Sequence, residues 1–146
     1  MARPEKTFNT GKDSELIFED RMTERNAFVY RFEDYADINY KGGSNSPNKA
    51  VDAKPSDYIV SLSGSLFFAE VKSVATKRSF PFSSITKEQW RTAFKVVQTG
   101  GLYFFFIHFR ELDEWFMVPA KEIIRHEKRS MNQPDLVPFR INNDFT

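Results

Sequence analysis

The chain contains no cysteine, which removes disulfides, thiolate nucleophiles and cysteine-based zinc sites together. Long apolar runs are also missing. The longest, Leu102 to Ile107, falls far short of the roughly 20 residues that cross a bilayer. The opening MARPEKTFNT has none of the apolar core of a signal peptide. Charge of one sign is scarce as well. The 21 basic and 20 acidic residues leave a net +1, which argues against a nucleic-acid binder driven by bulk positive charge alone. No Ser-His-Asp arrangement and no GxxxxGK[ST] phosphate loop stands out, which disfavours an acyl hydrolase and a P-loop NTPase. These absences predict a soluble, cytoplasmic protein with no membrane segment.

What is present suits one domain with a substantial core. The 146 residues are 40% hydrophobic and 28% charged, and sixteen are Phe, so the core should be rich in aromatic rings. Charge is unevenly spread. Between Lys72 and Lys95 six basic residues face one acid, Glu88, whereas Glu15, Glu19, Asp20, Glu24, Glu33, Asp34 and Asp37 lie nearer the start. That asymmetry fits a basic face beside an acidic cleft, and equally a solvated helix face.

Residues 1–10 read as a flexible arm and 11–146 as a single domain. Thr10 or Asp13 caps a helix to about Arg25, with Glu15, Glu19 and Met22 on one face. Ala27 to Phe32 alternates as a strand. Residues 40–56, rich in Gly, Ser, Asn, Pro and Lys, form a long loop. Asp57–Leu62 and Ser65–Ser73 are strands joined at Ser63-Gly64. Residues 77–85 read as a basic, proline-containing loop. A helix follows from Lys87 to about Thr99, with Trp90, Ala93, Phe94 and Val97 as its buried stripe, closed by Gly100-Gly101. Leu102–Phe109 is apolar on both faces, as a central strand must be. Its interruption, His108, reads as a buried histidine with partners, and His126 as a surface one. Glu114–Val118 is another strand, and Pro119 opens a short basic helix to about Arg129. The tail from Ser130 gives no clear pattern. The order predicts an α/β fold, a mixed sheet flanked by helices.

The hairpin carries the chemistry. A two-residue turn at Ser63-Gly64 pairs Leu62 with Ser65 and, carried along the strands, Asp57 with Glu70. Directly opposed residues share a face, with Cβ atoms roughly 5 Å apart. Lys72, two positions past Glu70, points to that face too. Two acids so placed repel each other unless a cation lies between them. Mg²⁺ takes hard oxygen ligands and substrate phosphate oxygens, and it lowers the pKa of bound water. Asp with Glu-x-Lys is therefore a workable set for phosphodiester hydrolysis. An exposed strand face carrying an unrelated E-x-K is the plainer alternative.

The segment KPSDYIVSLSGSLFFAEVKS resembles the PD-(D/E)XK nuclease superfamily, with an acid at the start of one strand and E-x-K on the next. The resemblance narrows to RecU-type Holliday junction resolvases. It is carried in order by NTGKDSELI, SDYIV, FFAEVKS, and SFPFSSITKEQW followed by GGLYFFFIHF, over roughly residues 9 to 120. It implies a restriction-endonuclease-like core, Mg²⁺ (or Mn²⁺) dependence, a branched-DNA substrate and a homodimer. Asp57, Glu70 and the Val71 carbonyl would be the metal ligands. Lys72 would position the attacking water, and Glu15 would be the acid on the first helix, with Glu19 one turn later as the alternative. Gln89 matches the family's polar residue on the following helix, although its place three residues after Thr86 also suits a capping box. Phe80 falls in a loop expected near the DNA, unless it and Phe82 simply pin that loop to the core. Lys77, Arg78, Lys87 and Arg91 are candidate phosphate contacts. The stretch from Phe32 to Ser56 is shorter than the protruding stalk of bacterial RecU, which points towards a compact, archaeal-type resolvase, and the small size and short ends suggest a phage-encoded version. A nuclease for another DNA structure and a non-catalytic junction binder are the competing expectations.

Overall fold

Ser63 and Gly64 both adopt left-handed backbone angles, with φ of 50° and 84°, the signature of the tight hairpin turn whose twist matches its strands. The computed structural model describes residues 10–33, 54–75 and 79–146. Most of the expected N-terminal arm, the 40–56 loop up to residue 53, and Lys77 and Arg78 lie outside the described residues. From the turn, β2 (Tyr58–Leu62) and β3 (Ser65–Val74) run antiparallel, Leu62 opposite Ser65 and Tyr58 opposite Ala69. The register is the one the turn predicts. On the other side of β2 lies β1 (Phe28–Arg31), also antiparallel.

β5 (Tyr103–Phe109) pairs with β3 in parallel and with β6 (Glu114–Pro119) in antiparallel fashion. A parallel pair needs a long crossover, and the segment between β3 and β5 supplies one. It holds β4 (Ser79–Pro81), a 3₁₀ turn at Phe82–Ser84 and helix α2 (Lys87–Gln98). The order across the six-stranded sheet is β1-β2-β3-β5-β6-β8, where β8 is Arg140–Ile141. Almost every side chain of β5 is buried, as a strand covered on both faces requires.

Each face of the sheet has its own core. Helix α1 (Thr10–Glu24) covers one face with Phe18 and Met22, which meet Tyr58, Val60, Phe67 and Phe106. Ser14, Phe18 and Met22 form its buried line at i, i+4 and i+8, whereas Leu16 is 53% exposed. On the other face α2, α3 (Ala120–Ile124) and α4 (Gln133–Leu136) surround Phe105, Ile107, Phe109 and Phe116.

Three expectations change. Residues 79–81 are a strand rather than loop, because they pair with β7 (Ser130–Asn132) from the tail. The helix opened by Pro119 stops at Ile124, well before Arg129, so that Ser130 can join that ladder. In α2, Phe94 is 51% exposed while Ala93 is buried. Trp90, Ala93 and Val97 pack on the core as expected, joined by Val96, and only Phe94 of the expected stripe points outward.

Candidate active site

β2 begins at Tyr58, one residue after the acid, so β3 runs on past its partner strand. The next edge N–H of β3, that of Val71, would be left without a ladder acceptor. Asp57 takes that place: its Oδ2 accepts from Val71 N at 2.9 Å. The N–H and C=O of one strand residue point to the same edge, so the Val71 carbonyl also faces the side where Asp57 lies. The approach to Asp57 is tied down from several directions. Phe32 N donates to its carbonyl at 2.9 Å, Ser56 Oγ donates to Tyr58 O at 2.6 Å, and Tyr103 Oη donates to Pro55 O at 2.9 Å.

Opposite Asp57, Glu70 is only 3% exposed. Its Oε2 accepts from Gln89 Nε2 at 3.1 Å and lies 3.7 Å from Lys72 Nζ. No donor among the described residues reaches its other oxygen, Oε1, which is buried. Lys72 Nζ donates to Ser84 O at 2.8 Å and to Gln89 Oε1 at 2.9 Å. Gln89 thus links Glu70 to Lys72. The same Oε1 accepts from Thr86 N at 3.0 Å, and Gln89 N donates to Thr86 Oγ1 at 3.2 Å, which closes the capping box at the start of α2. The two alternatives for Gln89 are one arrangement: the cap fixes the amide that spans the acid and the amine.

Burial pushes the Glu70 carboxyl well above its ordinary range, and the Asp57 charge adds to this against the pull of Lys72. Glu15, on α1, is raised to about 7, first by burial and then by Asp57, with Arg31 and Lys54 opposing. The Arg31 guanidinium is 3.9 Å from Glu15 Oε2, and Lys54 Nζ donates to Asp57 Oδ1 at 3.1 Å. Glu19, one turn later, acts on Tyr58 rather than on the acid pair. Three carboxylates therefore converge from α1, the residue before β2, and β3. Sequence reasoning gave no role to Lys54, Arg31 or the Ser84 carbonyl. Only Lys54, three residues before Asp57 in KPSD, left a local trace.

Lys87 and Arg91 are exposed on α2, one helical turn apart and on the helix that carries Gln89. Phe80 is corrected: it is fully buried, its ring 6.0 Å from that of Phe82, and it belongs to the core on the α2 face. It lies in β4, opposite Met131 of β7, and is packed in the core, which is the alternative reading of a residue that pins this segment. His108 is buried with partners, as expected. Its Nδ1 is 2.8 Å from Ser14 Oγ, its Nε2 is 2.8 Å from Asp113 Oδ1, and its ring stacks on Trp115 at 4.3 Å. A Ser-His-Asp chain therefore exists after all, but Ser14 is 1% exposed, so the chain joins α1 to the β5–β6 turn and presents no nucleophile.

Among the described residues no three His, Asp or Glu side chains form a ready metal cage. The donors at the acid pair are nonetheless all hard oxygens: the Asp57 carboxylate, the unpartnered Glu70 Oε1 and the Val71 carbonyl. That set fits Mg²⁺ or Mn²⁺, which bind through few protein oxygens and keep the rest for water and phosphate, better than it fits zinc.

Two solved structures share the architecture. Hjc, a Holliday junction resolvase from the archaeal hyperthermophile Archaeoglobus fulgidus, superposes with a TM-score of 0.58 at 13% identity, over 89% of this chain and 93% of its own. The bacterial homing endonuclease I-Ssp6803I superposes with a TM-score of 0.55 at 12% identity, over 92% of this chain and 86% of its own. The sheet and its helices are thus a restriction-endonuclease-like fold. No curated protein sequence matches the chain. The family model described as recombination protein U matches residues 34–141, a span that takes in Asp57, Glu70, Lys72 and Gln89 and leaves out α1 with Glu15. With most of its length so matched, the chain belongs to the RecU family.

Proposed function

We propose that the protein is a Mg²⁺- or Mn²⁺-dependent endonuclease that resolves four-way DNA junctions by phosphodiester hydrolysis, acting as a homodimer so that two sites cut symmetric strands. The observation that carries this reading is the buried opposition of Asp57 and Glu70, with an ammonium 3.7 Å from Glu70. A protein that only bound DNA would gain nothing from two acids crowded where phosphates must approach.

Asp57, Glu70 and the Val71 carbonyl would hold the ion. When bound, it lowers the pKa of a water and offsets charge on a phosphoryl oxygen. The chain's own residues do the positioning. Lys72 is held by Ser84 O and Gln89 Oε1, so its amine is preorganised to orient the water that attacks phosphorus in line. The P–O3′ bond breaks, leaving a 5′-phosphate and a 3′-hydroxyl. Gln89 keeps acid and amine in register. Lys87 and Arg91, exposed at the start of α2, suit contacts to the phosphate backbone, which position DNA without reading its sequence.

The test incubates the protein with a four-way junction, a flap and linear duplex, with and without Mg²⁺. Paired nicks confined to the junction are expected. Cutting of duplex at one sequence would favour the activity of the homing-endonuclease neighbour, and tight junction binding without cleavage in any divalent metal would leave a pure binder. Asp57→Asn should abolish cleavage, at least about 100-fold, and keep or tighten junction binding, because one phosphate-repelling charge is gone.

A further inference from the structure

The exposed cations near the end of the chain are not alike. Arg125 lies 3.5 Å from Glu122 and Arg140 lies 3.4 Å from Glu114. Lys128 and Arg129 are exposed too, but no acid among the described residues pairs with either. Both sit in the turn between α3 and β7, where Glu127 is the one acid. The turn is anchored at both ends. His126 Nε2 is 3.1 Å from Ser130 O, and the His126 ring meets that of Phe82 edge-on at 5.8 Å. Phe82 N donates to Arg129 O at 2.9 Å, one bond beyond the β4–β7 ladder.

That last bond fixes where the two cations lie. Phe82 opens the 3₁₀ turn whose third residue, Ser84, accepts from the Lys72 amine at 2.8 Å. Two residues of 3₁₀ turn rise roughly 4 Å, and hydrogen-bonded neighbours across a ladder have Cα atoms about 5.5 Å apart. Arg129 is therefore rooted on the order of 10 Å from the Lys72 amine, roughly three nucleotides along a strand. Lys87 and Arg91 rise from α2, which begins just after the same 3₁₀ turn. A DNA strand led towards three gathered carboxylates must be held against their repulsion, and phosphate contacts supply that hold.

We infer that Lys128 and Arg129 grip the DNA backbone a few phosphates from the scissile one, so that the turn that holds Lys72 also registers the strand upon it. This rests on the branched-DNA reading of the site. It adds to Lys87 and Arg91 a second contact, on the far side of the 3₁₀ turn and drawn from the tail of the chain.

The test uses the full chain and a synthetic four-way junction. Binding is measured in chelator over about 50–200 mM salt for wild type, Lys128→Ala/Arg129→Ala and Lys121→Ala. Lys121 is the control. It is exposed and has no ion pair among the described residues, but it borders Gly100, Leu102 and Pro119, at the opposite end of β5 from Lys72. Each lost phosphate contact should flatten the slope of log K against log salt by about 0.9, so the double variant should lose about 1.8 and bind at least about tenfold more weakly at low salt. Lys121→Ala should keep the wild-type slope. Lys128→Arg/Arg129→Lys, which keeps both charges, should restore it. Melting temperature and Mn²⁺ affinity of the double variant should match wild type, and its junction cleavage below saturation should fall in proportion to binding. If the double variant keeps the wild-type slope, or Lys121→Ala flattens the slope as much per charge, the inference is overturned while the nuclease reading stands. If Mn²⁺ affinity falls together with junction binding, the turn acts through the metal site and the inference is overturned likewise. If wild type neither binds nor cuts the junction, the branched-DNA reading itself fails and takes this inference with it.

Discussion

Glu15 is an acid of the site whose titration falls near neutrality. Its carboxyl moves from 4.5 to about 7 because burial and the neighbouring Asp57 charge both penalise the ionised form. A native state that holds a proton the unfolded chain has released loses stability as pH rises. The metal-free protein should therefore be most stable below about pH 4.5 as far as this group is concerned, lose stability as the pH climbs to about 7, and level off beyond. Glu70, raised in the same direction, adds to the loss. Melting temperatures recorded in chelator from pH 5 to 8 (roughly the span over which a raised carboxyl titrates) should fall, and Glu15→Gln should flatten the lower part of that fall. A slope unchanged by Glu15→Gln would mean that Glu15 is ionised throughout. Mg²⁺ should reverse the trend, because its ligands must be deprotonated.

At the scale of the element, the β2–β3 hairpin sets the site, and the turn sets the hairpin. A Cβ on Gly64 would meet nothing within 4 Å, so a substitution there reports backbone strain alone. Gly64→Val should cost about 1–2 kcal/mol, and Ser63→Asn, which tolerates positive φ better, should gain a few tenths. Denaturant melts measure both. Because a slip of one residue would send Glu70 and Lys72 to the opposite face, Gly64→Val should also weaken Mn²⁺ binding, although the turn touches no ligand. This hairpin was the most legible part of the sequence, since strand alternation and a Ser-Gly turn fix register locally. The segment after it was not. SFP at residues 79–81 became a strand only because SMN at 130–132 comes to lie beside it, a pairing across some fifty residues that no local pattern announces. Phe80 followed that pairing into the core. Gln89 was half legible: the capping box could be read from Thr86, but the bond to Glu70 depends on how α2 sits on the sheet.

For the molecule as a whole, the site depends on how α1 is fastened, because α1 brings Glu15 to Asp57 and makes no backbone pairing with the sheet. Two fastenings reach it from the far end of the chain. Ser14 Oγ meets His108 Nδ1 at 2.8 Å, and burial keeps His108 below its ordinary pKa despite Asp113, which favours the neutral ring that can pair on both sides. Near the C-terminus, Phe145 is buried against Phe18, Phe106 and Trp115, with ring centroids 5.0 to 6.0 Å away. Arg21 Nε donates to Asn143 O at 2.8 Å, and Arg25 donates to the Phe145 carbonyl. Phe145 closes the core under α1 as a plug. Phe145→Ala should cost about 3 kcal/mol, the usual loss for emptying a buried aromatic site. The loss should be uneven. Amides of α1 should exchange faster by the full amount, whereas amides of β3 and β5, covered from the other face by α2, should change less. A uniform loss of protection would show that α1 and the sheet open together. If α1 opens alone, Mn²⁺ should still bind Asp57 and Glu70 in Phe145→Ala while the pH dependence assigned to Glu15 disappears, because the acid would no longer be held against Asp57.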